Sequence, residues 1–430
     1  MPIPSALKKL TPVAWLWILF LTGLTLRVAV SVFFGDNRTV YFEHMLIARN
    51  LLEGKGYVWD EWGRVALQPS SLIPPLYVYW CWFFQWISSQ NFLPMYIAQA
   101  LIAATGCFPA FRVGRRLFSD QVGLVFAALY AFYPEFVFLH SKAVAESLYV
   151  VFILWMIERY LALSDALPGS RDAIRKAVIV GVLSGIAMLV KEAAAIVALS
   201  ILIALVIHFR RQRSAMRSHI LPLIAAAAIV LAPWMIRNFI VQREFVPLRT
   251  GYGINFWISN HPGSAGNDRY SDGVGVFSRL PESNPAYWEY INRILPFDEQ
   301  DRDWVYGAET IRFIRERPGE YLSLCALRLS YWVWFVSNHQ LASNPIYRAS
   351  WILLLLLSLP GAVIAVRQRR MDAVLPLILL GYMLLYIPSL VLPRYRIVTV
   401  LLLLLFAAVA IEHWRVFMKT RRANTRGIPA

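Results

Sequence analysis

Charged residues are scarce in this chain of 430 residues. Asp, Glu, Lys and Arg together make up 16% of it, while 58% is hydrophobic and 14% is aromatic. Ordinary soluble domains carry about 25% charged residues. The composition therefore excludes an ordinary soluble protein.

The chain also has few cysteines and no cluster of histidines. The three cysteines lie in apolar contexts without metal or redox spacing, which fits small core residues and supports no disulfide assignment: Cys81, Cys107 and Cys325. The seven histidines are scattered, and no two have the spacing of zinc ligands. We therefore expect no bound metal and no cofactor.

Nucleotide-binding and serine-hydrolase motifs are missing as well. The chain has no phosphate-binding glycine loop of either nucleotide type and no Gly-x-Ser-x-Gly elbow. It therefore lacks the machinery to bind a soluble nucleotide, and an activated substrate is expected to be one that already resides in the bilayer.

What the chain does have is a series of apolar runs long enough to cross about 30 Å of hydrocarbon. The clearest are 13–34, 72–88, 92–111, 121–139, 143–163, 177–208, 219–236, 350–366, 373–391 and 396–411. The alternating pattern of a barrel is absent, so these spans are predicted to be helices. We predict an all-α polytopic membrane protein with about 10 to 13 spans, in which 177–208 is long enough for two.

The net charge of +16 comes from short basic clusters at the ends of spans. They are Arg112, Arg115 and Arg116; Arg171, Arg175 and Lys176; Arg210, Arg211, Arg213 and Arg217; Arg367, Arg369 and Arg370; Lys419, Arg421 and Arg422. This is the positive-inside distribution, which places these loops in the cytoplasm and indicates no nucleic-acid partner. The first span follows Lys8 and Lys9 without a cleavage site, so a retained helix is expected. If all these loops are cytoplasmic, the number of spans predicted between residues 72 and 112 has the wrong parity to connect the outer segment 35–71 with the cytoplasmic loop that contains Arg112.

Two segments are too long and too polar for simple connections, 35–71 and roughly 237–320, and we expect both to face away from the cytoplasm. We divide the chain into an N-terminal transmembrane catalytic module at 1–236, a long periplasmic loop at 237–320, and C-terminal transmembrane helices at 321–430. A helical pattern returns at 302–337, broken at Arg317-Pro318-Gly319, and its second part can either span or lie along the surface.

Residues 40–53 have the pattern of an interfacial amphipathic helix that ends at Gly54. One stripe of this helix is largely apolar: Tyr41, Met45, Ala48 and Leu52. The alternative is a connector that merely touches lipid. Just before it, Asp36 stands at the end of the first span, where it suits either a general base or a cap on the following helix.

Further ionisable residues lie within or beside the spans: Arg27, Lys142, Glu146, Lys191 and Glu192. Charged side chains at membrane depth are costly, so we expect each of them to be paired, to line a cavity or to have a functional role. Lys142 and Glu146 are one helical turn apart and can pair. Lys191 interrupts an apolar run, and a cation there suits a phosphate, as does Arg237.

An ordered set of motifs runs through nearly the whole chain. It comprises Asp36; Tyr41…Ala48-x-Asn50-Leu51-Leu52-x-Gly54-x-Gly56-Tyr57; Pro74-Pro75-Leu76-Tyr77; Tyr133-Pro134; Ser141-Lys142…Glu146; Leu189-Val190-Lys191; Pro233-Trp234-x-x-Arg237-Asn238; Phe245-Val246-Pro247-Leu248; Gly253-x-Asn255; Ser259-Asn260; and Pro393-Arg394-Tyr395-Arg396. Together they resemble bacterial GT-C glycosyltransferases of the dolichyl-phosphate-mannose protein mannosyltransferase superfamily (family 39-like), which includes lipid A aminoarabinose transferases.

The resemblance implies a GT-C helix bundle with external amphipathic helices and one long external loop. It implies an inverting transferase of the bacterial inner membrane that moves a sugar from a polyprenyl-phosphate donor to a glycan, lipid or protein acceptor at the periplasmic face. By the same resemblance, Asp36 is the base that takes the acceptor proton. The remaining assignments are the donor-phosphate residues Lys191, Arg237 and Lys142 and the substrate-binding residues Tyr41, Glu146, Tyr57 and Arg394, with no metal.

The chain departs from the family at two places. Asn37 follows Asp36 where relatives often carry a second acid, and Leu72-Ile73 replaces the Glu-Lys that precedes Pro-Pro in the aminoarabinose branch. These departures weaken any transfer of that branch's metal site or sugar. Two alternatives also stay open: a transporter or flippase of lipid-linked saccharides, and an O-antigen polymerase or ligase.

Overall fold

The computed structural model describes residues 11–36, 38, 42–60, 66–89, 91–269, 276, 297–336 and 339–425. The described part is almost wholly helical, with one antiparallel strand pair, β1 (Val58–Trp59) and β2 (Gln68–Pro69). The helices are α1 (Pro12–Phe34), α2 (Glu43–Leu52), α3 (Pro75–Ser88), α4 (Leu93–Ala104), α5 (Cys107–Leu117), α6 (Asp120–Phe132), α7 (Pro134–Leu139), α8 (Glu146–Ser164), α9 (Arg171–Val190), α10 (Ala194–Phe209), α11 (Arg213–Ala215), α12 (Leu221–Gln242), α13 (Tyr252–Ile258), α14 (Glu299–Glu316), α15 (Pro318–Val333), α16 (Pro345–Arg367), α17 (Val374–Tyr386) and α18 (Ile397–Thr425).

Ten apolar helical stretches in the described residues are candidates to cross a membrane. Seven are long enough by themselves: Pro12–Phe34, Leu93–Leu117, Glu146–Ser164, Arg171–Val190, Arg213–Gln242, Pro345–Arg367 and Pro393–Arg422. Three are shorter apolar helices: Asp120–Phe132, Ala194–Phe209 and Val374–Tyr386. The seven long helices are fewer than the 10 to 13 predicted spans, and only with the three shorter helices do the candidates number ten. The run at 177–208 forms two helices, α9 and α10.

The basic loops predicted to be cytoplasmic meet at one end of the bundle, which we call the basic end. Three contacts join them: Arg116 with Asp165, the Arg370 guanidinium with the Phe118 carbonyl, and the Gly169 amide with the Ser218 hydroxyl. The opposite end, here the cavity end, collects the turns that follow α7, α9 and α17. Consecutive crossing helices therefore run alternately between these two ends.

The predicted span at 72–88 is wrong, and its correction resolves the mismatch between 72 and 112. The helix α3 has 14 residues and is not among the described apolar helices that are candidates to cross. It lies along α2, where the Gln85 amide donates to the Met45 carbonyl at 3.2 Å. At the start of α4, the Tyr96 hydroxyl donates to the carbonyl of Asp36 at 2.7 Å. Both ends of α3 thus lie at the cavity end, and the ten candidate helices of the described residues alternate in direction without a break.

The amphipathic helix predicted at 40–53 is confirmed as α2, which ends just before Gly54 in a left-handed conformation with φ of 72°. It is more than a connector, because Met45, Ile47 and Ala48 are buried and the helix packs on α3. Tyr41, which was placed on the same stripe, lies outside the described residues.

The helical break predicted at Pro318 is also confirmed, since α14 ends at Glu316 and α15 begins at Pro318. The second helix does not cross. Arg328 in α15 donates to the carbonyls of Ser259 and Pro388 at 2.9 and 3.2 Å, which holds this helix at the cavity end.

Other buried arginines close helix ends. Arg27 donates to the carbonyls of Ala131 and Tyr130 at 2.9 and 3.0 Å, where α6 stops before the Pro134 break. Arg396 donates to the carbonyls of Tyr331 and Trp332 at the end of α15. Terminal helix carbonyls lack intrahelical partners. A guanidinium that donates to several of them provides hydrogen bonds both for these carbonyls and for its own N–H groups.

Candidate active site

A cavity of about 320 Å³ opens at the cavity end of the bundle. Its wall is built from α2, the turns around α8, α9 and α18, and the long loop after α12. It is rich in ionisable side chains: Glu43, His44, Glu146, Lys191, Glu192, Arg249, Asp268, Glu299, Arg302, Asp303 and Arg394. In a protein that is 58% hydrophobic, this concentration of charge marks the cavity as the candidate functional site.

A buried carboxylate holds two cations in the cavity wall. The Lys191 ammonium donates to Glu146 Oε1 at 3.0 Å, and Arg394 Nε lies 3.7 Å from the same oxygen. Glu146 is 3% exposed, whereas the Arg394 side chain is 44% exposed. The arrangement arises because Glu146 begins α8, Lys191 leaves the end of α9 in an extended conformation, and Arg394 precedes α18. The cluster therefore carries one net positive charge beside the cavity.

A second ion pair lies next to the first. Arg249 Nη1 is 3.2 Å from Glu192 Oε1. Burial acts against the charged form of each, but their attraction outweighs it. The pKa of Arg249 lies above its usual value and the pKa of Glu192 lies below its usual value. Both groups are therefore ionised, and the pair ties the long loop to the turn after α9.

Two carboxylates of α14 fasten this wall to the backbone. Glu299 Oε1 accepts from the Ser71 amide at 2.8 Å and from the Thr250 hydroxyl at 2.5 Å. Asp303 Oδ1 accepts from the Ile254 amide at 2.9 Å, in the first turn of α13. These hydrogen bonds fix the loop on both sides of the cavity, so the two carboxylates serve to position the wall.

Glu43 differs from these carboxylates. It lines the cavity, and within the described part of the chain its carboxylate has no hydrogen-bond or ion-pair partner. The next residue, His44, is buried and its Nε2–H donates to the Ala143 carbonyl at 2.7 Å. Burial lowers the pKa of His44 to about 4, so the ring is neutral at physiological pH. Glu43 is thus a carboxylate of the cavity wall that no hydrogen bond or ion pair within the described residues holds in place.

The structure brings together three of the predicted site residues, Glu146, Lys191 and Arg394. Four others do not line the cavity: Asp36, Lys142, Tyr57 and Arg237. Asp36 is exposed, and its carboxylate accepts from the Arg38 amide at 3.3 Å. Its role as the base is untested by this geometry and stays a prediction. Tyr41 lies outside the described residues.

Arg237 is tied to the scaffold. Its Nη1 donates to the Ser70 carbonyl at 2.6 Å and to the Ser71 hydroxyl at 3.0 Å. Its guanidinium carbon lies 5.1 and 4.9 Å from the ring centres of Tyr57 and Trp234. Arg237 thus links α12 to the segment before α3, while the phosphate-binding role predicted for it stays a prediction.

Some residues that line the cavity had not been selected from the sequence as site residues. Glu43 carried a usable signal, because it is an acid on the polar side of the predicted helix at 40–53. Glu299 and Asp303 carried none, because they lie in the long segment at 237–320, whose packing partners are distant in sequence. The Glu299 contact with Ser71, for example, joins residues 228 positions apart.

The described residues thus form a polytopic helix bundle with a strongly charged cavity at the ends of its spans, and known proteins are similar to this chain in sequence and in fold. Residues 73–236 match the family model described as dolichyl-phosphate-mannose-protein mannosyltransferase. The resemblance indicated by the motifs is confirmed over that part of the chain. Comparison with curated protein sequences gives no match.

Solved structures of the oligosaccharyltransferase from Archaeoglobus fulgidus share the fold. The complex with Zn and sulfate has a TM-score of 0.55 at 13% identity, over 95% of this chain and 50% of that one. The apo form has a TM-score of 0.53 at 12% identity, over 98% and 52%. The chain therefore spans about half the length of these relatives. ArnT from Cupriavidus metallidurans bound to undecaprenyl phosphate has a TM-score of 0.43 at 16% identity, over 92% and 77%.

Metal ligands are not grouped in the described residues. No three His, Cys, Asp or Glu side chains there lie close enough together to hold an ion.

Proposed function

We propose that this chain is an integral-membrane inverting glycosyltransferase that uses the cavity to move a sugar from a polyprenyl-phosphate donor to a glycan, lipid or protein acceptor. The observation that carries the proposal is the pair of cations, Lys191 and Arg394, held on one buried carboxylate beside the cavity. The family match over residues 73–236 supports the reaction class.

The two cations suit the phosphate of the donor. In the transfer, the bond between the anomeric carbon and the phosphate oxygen breaks, and negative charge develops on the departing polyprenyl phosphate. Cations already in place stabilise that charge without reorganising. Arg394 offers a planar guanidinium and is the more exposed of the two, so we assign it direct contact with the phosphate, with Lys191 beside it.

A carboxylate is needed for the acceptor. The hydroxyl or amine of the acceptor attacks the anomeric carbon from the face opposite the leaving phosphate, which inverts the configuration. The proton of this hydroxyl or amine passes to a base. We assign Glu43 as this base, because it lines the cavity and its carboxylate makes no hydrogen bond or ion pair within the described residues. Asp36, which the resemblance favours, is the competing assignment.

The distribution of basic loops supports a periplasmic active site. Each basic cluster in the described loops lies at the end of the bundle opposite the cavity, and such loops are retained in the cytoplasm. In a bacterial inner membrane the cavity then opens toward the periplasm, where lipid-linked sugars and cell-surface acceptors meet.

The direct test uses the purified full-length chain in liposomes with a polyprenyl-phosphate donor that carries a labelled sugar. Outer-surface glycolipid extract and a cell-envelope protein fraction serve as acceptors. We expect label to appear on one acceptor class and polyprenyl phosphate to be released, and Lys191→Met to abolish both. If label crosses the bilayer still attached to its lipid and no transfer occurs, the transporter alternative replaces this proposal.

A further inference from the structure

A second cavity of about 410 Å³ lies on the side of the bundle between α4, α8 and α9, and we call it the side groove. Its wall is mainly apolar: Ile102, Val151, Phe152, Ile179 and Leu183. Thr105, Trp155 and Arg159 complete the lining. The groove is separate from the charged cavity, with which it shares no lining residue.

Two arginines flank the tryptophan of the side groove. The guanidinium carbons of Arg112 and Arg159 lie 5.6 and 5.3 Å from the centre of the Trp155 ring. Both approach the same buried carboxylate: Glu158 Oε2 is 2.5 Å from Arg159 Nε, and Glu158 Oε1 is 4.0 Å from Arg112 Nη1. Two cations thus share one anion, and the cluster keeps one net positive charge.

The charge and the apolar wall occupy opposite ends of the groove. Along α8, Val151 lies about 8 Å from Glu146 at the cavity end, and Arg159 lies about 20 Å from it. Arg159 is therefore near the basic end, where α8 finishes at Ser164. The apolar wall extends from there toward the middle of the bilayer. A phospholipid in the leaflet at the basic end has this same polarity, with its headgroup at the surface and its chains toward the middle.

We propose that the side groove binds one anionic glycerophospholipid, with its phosphodiester at Arg112 and Arg159 and one acyl chain along Val151, Phe152 and Leu183. The net charge of the cluster complements a lipid with one negative charge, and an aromatic ring between two guanidiniums suits the boundary between headgroup and chain. This inference does not depend on the sugar-transfer reaction.

The test is native mass spectrometry of the delipidated full-length protein, titrated with phosphatidylglycerol or with phosphatidylcholine of the same acyl chains. We expect one phosphatidylglycerol to be retained with about ten-fold higher affinity than phosphatidylcholine, which corresponds to one charge-assisted contact. The double variant Arg112→Gln/Arg159→Gln is expected to lose this preference. The matched control is Arg175→Gln, which removes an exposed arginine near the basic end that pairs with Asp172, and it should retain the preference.

A second variant addresses the apolar wall and also guards against misfolding of the double variant. Ile179→Trp fills the groove and leaves both arginines in place, so it should weaken retention of the lipid while gel filtration still shows an intact protein. Three results would overturn the proposal: no preference for phosphatidylglycerol in the wild type, an unchanged preference in the double variant, or stoichiometric displacement of the lipid by polyprenyl phosphate.

Discussion

Two groups of buried or half-buried cations lie at the cavity end of the bundle, and they differ in their partners. Lys191 and Arg394 approach the Glu146 carboxylate and line the cavity. Arg237 and Arg328 instead donate mainly to backbone carbonyls and side-chain oxygens of neighbouring segments. The second group cross-links the chain, as Arg396 does at the end of α15.

The difference shows that a cation at membrane depth does not reveal its role by residue type. A guanidinium surrounded by carbonyls has its donors occupied and is sealed, as Arg328 is at 0% exposure. A cation on a carboxylate at a cavity wall stays accessible, as Arg394 is at 44% exposure of its side chain. Lys191 and Arg237 looked alike in the sequence, and their partners distinguish them.

The largest effect is expected for the carboxylate of the cavity. Glu43→Gln keeps the shape of the side chain and removes the carboxylate that we propose as the base, so the initial rate of sugar transfer should fall by about 10²- to 10⁴-fold. Asp36→Asn is the matched variant and should stay within about three-fold of the wild type, which is less than 1 kcal/mol. The opposite result, with Asp36→Asn inactive and Glu43→Gln active, would return the base to Asp36.

The sealed arginines are expected to affect stability. Arg328→Leu removes a buried guanidinium that donates to the carbonyls of Ser259 and Pro388 and to the Asn260 side-chain oxygen, so the free energy of unfolding should fall by about 3 kcal/mol. Thermal unfolding in detergent measures this loss. Arg312→Leu, an exposed arginine of α14 paired with Glu309, serves as the control and should leave the melting temperature almost unchanged. Equal melting temperatures for the two variants would contradict a cross-linking role for Arg328.

A smaller loss is expected where α13 and α14 come into close contact. A Cβ on Gly253 would lie 1.9 Å from the Asp303 carbonyl oxygen, so Gly253→Ala must push the two helices apart. We expect a destabilisation of about 1–3 kcal/mol, as for other overpacked contacts, together with a weaker Asp303 cap on α13. The control is Gly319→Ala, where an added Cβ has no neighbour within 4 Å. A melting temperature for Gly253→Ala equal to that of the control would disprove this packing.

The smallest effect concerns pH. Burial lowers the pKa of His44 to about 4, below its unfolded value, so the unfolded chain takes up a proton first and stability falls as pH drops from about 6.5 toward 4. Between about pH 7.5 and 5.5 the His44 contribution should decrease by about 1 kcal/mol. In His44→Gln this part of the decrease should disappear, and thermal unfolding at the two pH values would show it. Parallel pH dependence in both proteins would mean that His44 is not the titrating group.

Features encoded by neighbouring residues were predicted well. The crossing stretches, the amphipathic helix at 40–53 and the break at Pro318 depend on local periodicity and on proline, which a single sequence displays. The region 72–88 misled the prediction because its aromatic run has the composition of a span. Its helix begins only at Pro75 and packs along α2 at the cavity end instead of crossing.

The site was predicted in part, and its limits have a physical cause. Lys191 and Glu146 stood out because ionisable residues at membrane depth are costly. The Arg249–Glu192 pair joins residues 57 positions apart, and this pairing depends on how the long loop folds back. Nothing in the local sequence around Arg249 indicates that contact.

The account rests on the distinction between cations held on a carboxylate at the cavity wall and cations tied to neighbouring carbonyls and hydroxyls, and the affinity for polyprenyl phosphate tests it most directly. Titration of the purified protein should give binding weakened by about ten-fold or more in Lys191→Met, because one charge-assisted contact is lost. Arg237→Met should bind within about two-fold of the wild type, with a lower melting temperature as its main effect. Normal binding by Lys191→Met, together with lost binding by Arg237→Met at an unchanged melting temperature, would contradict the account.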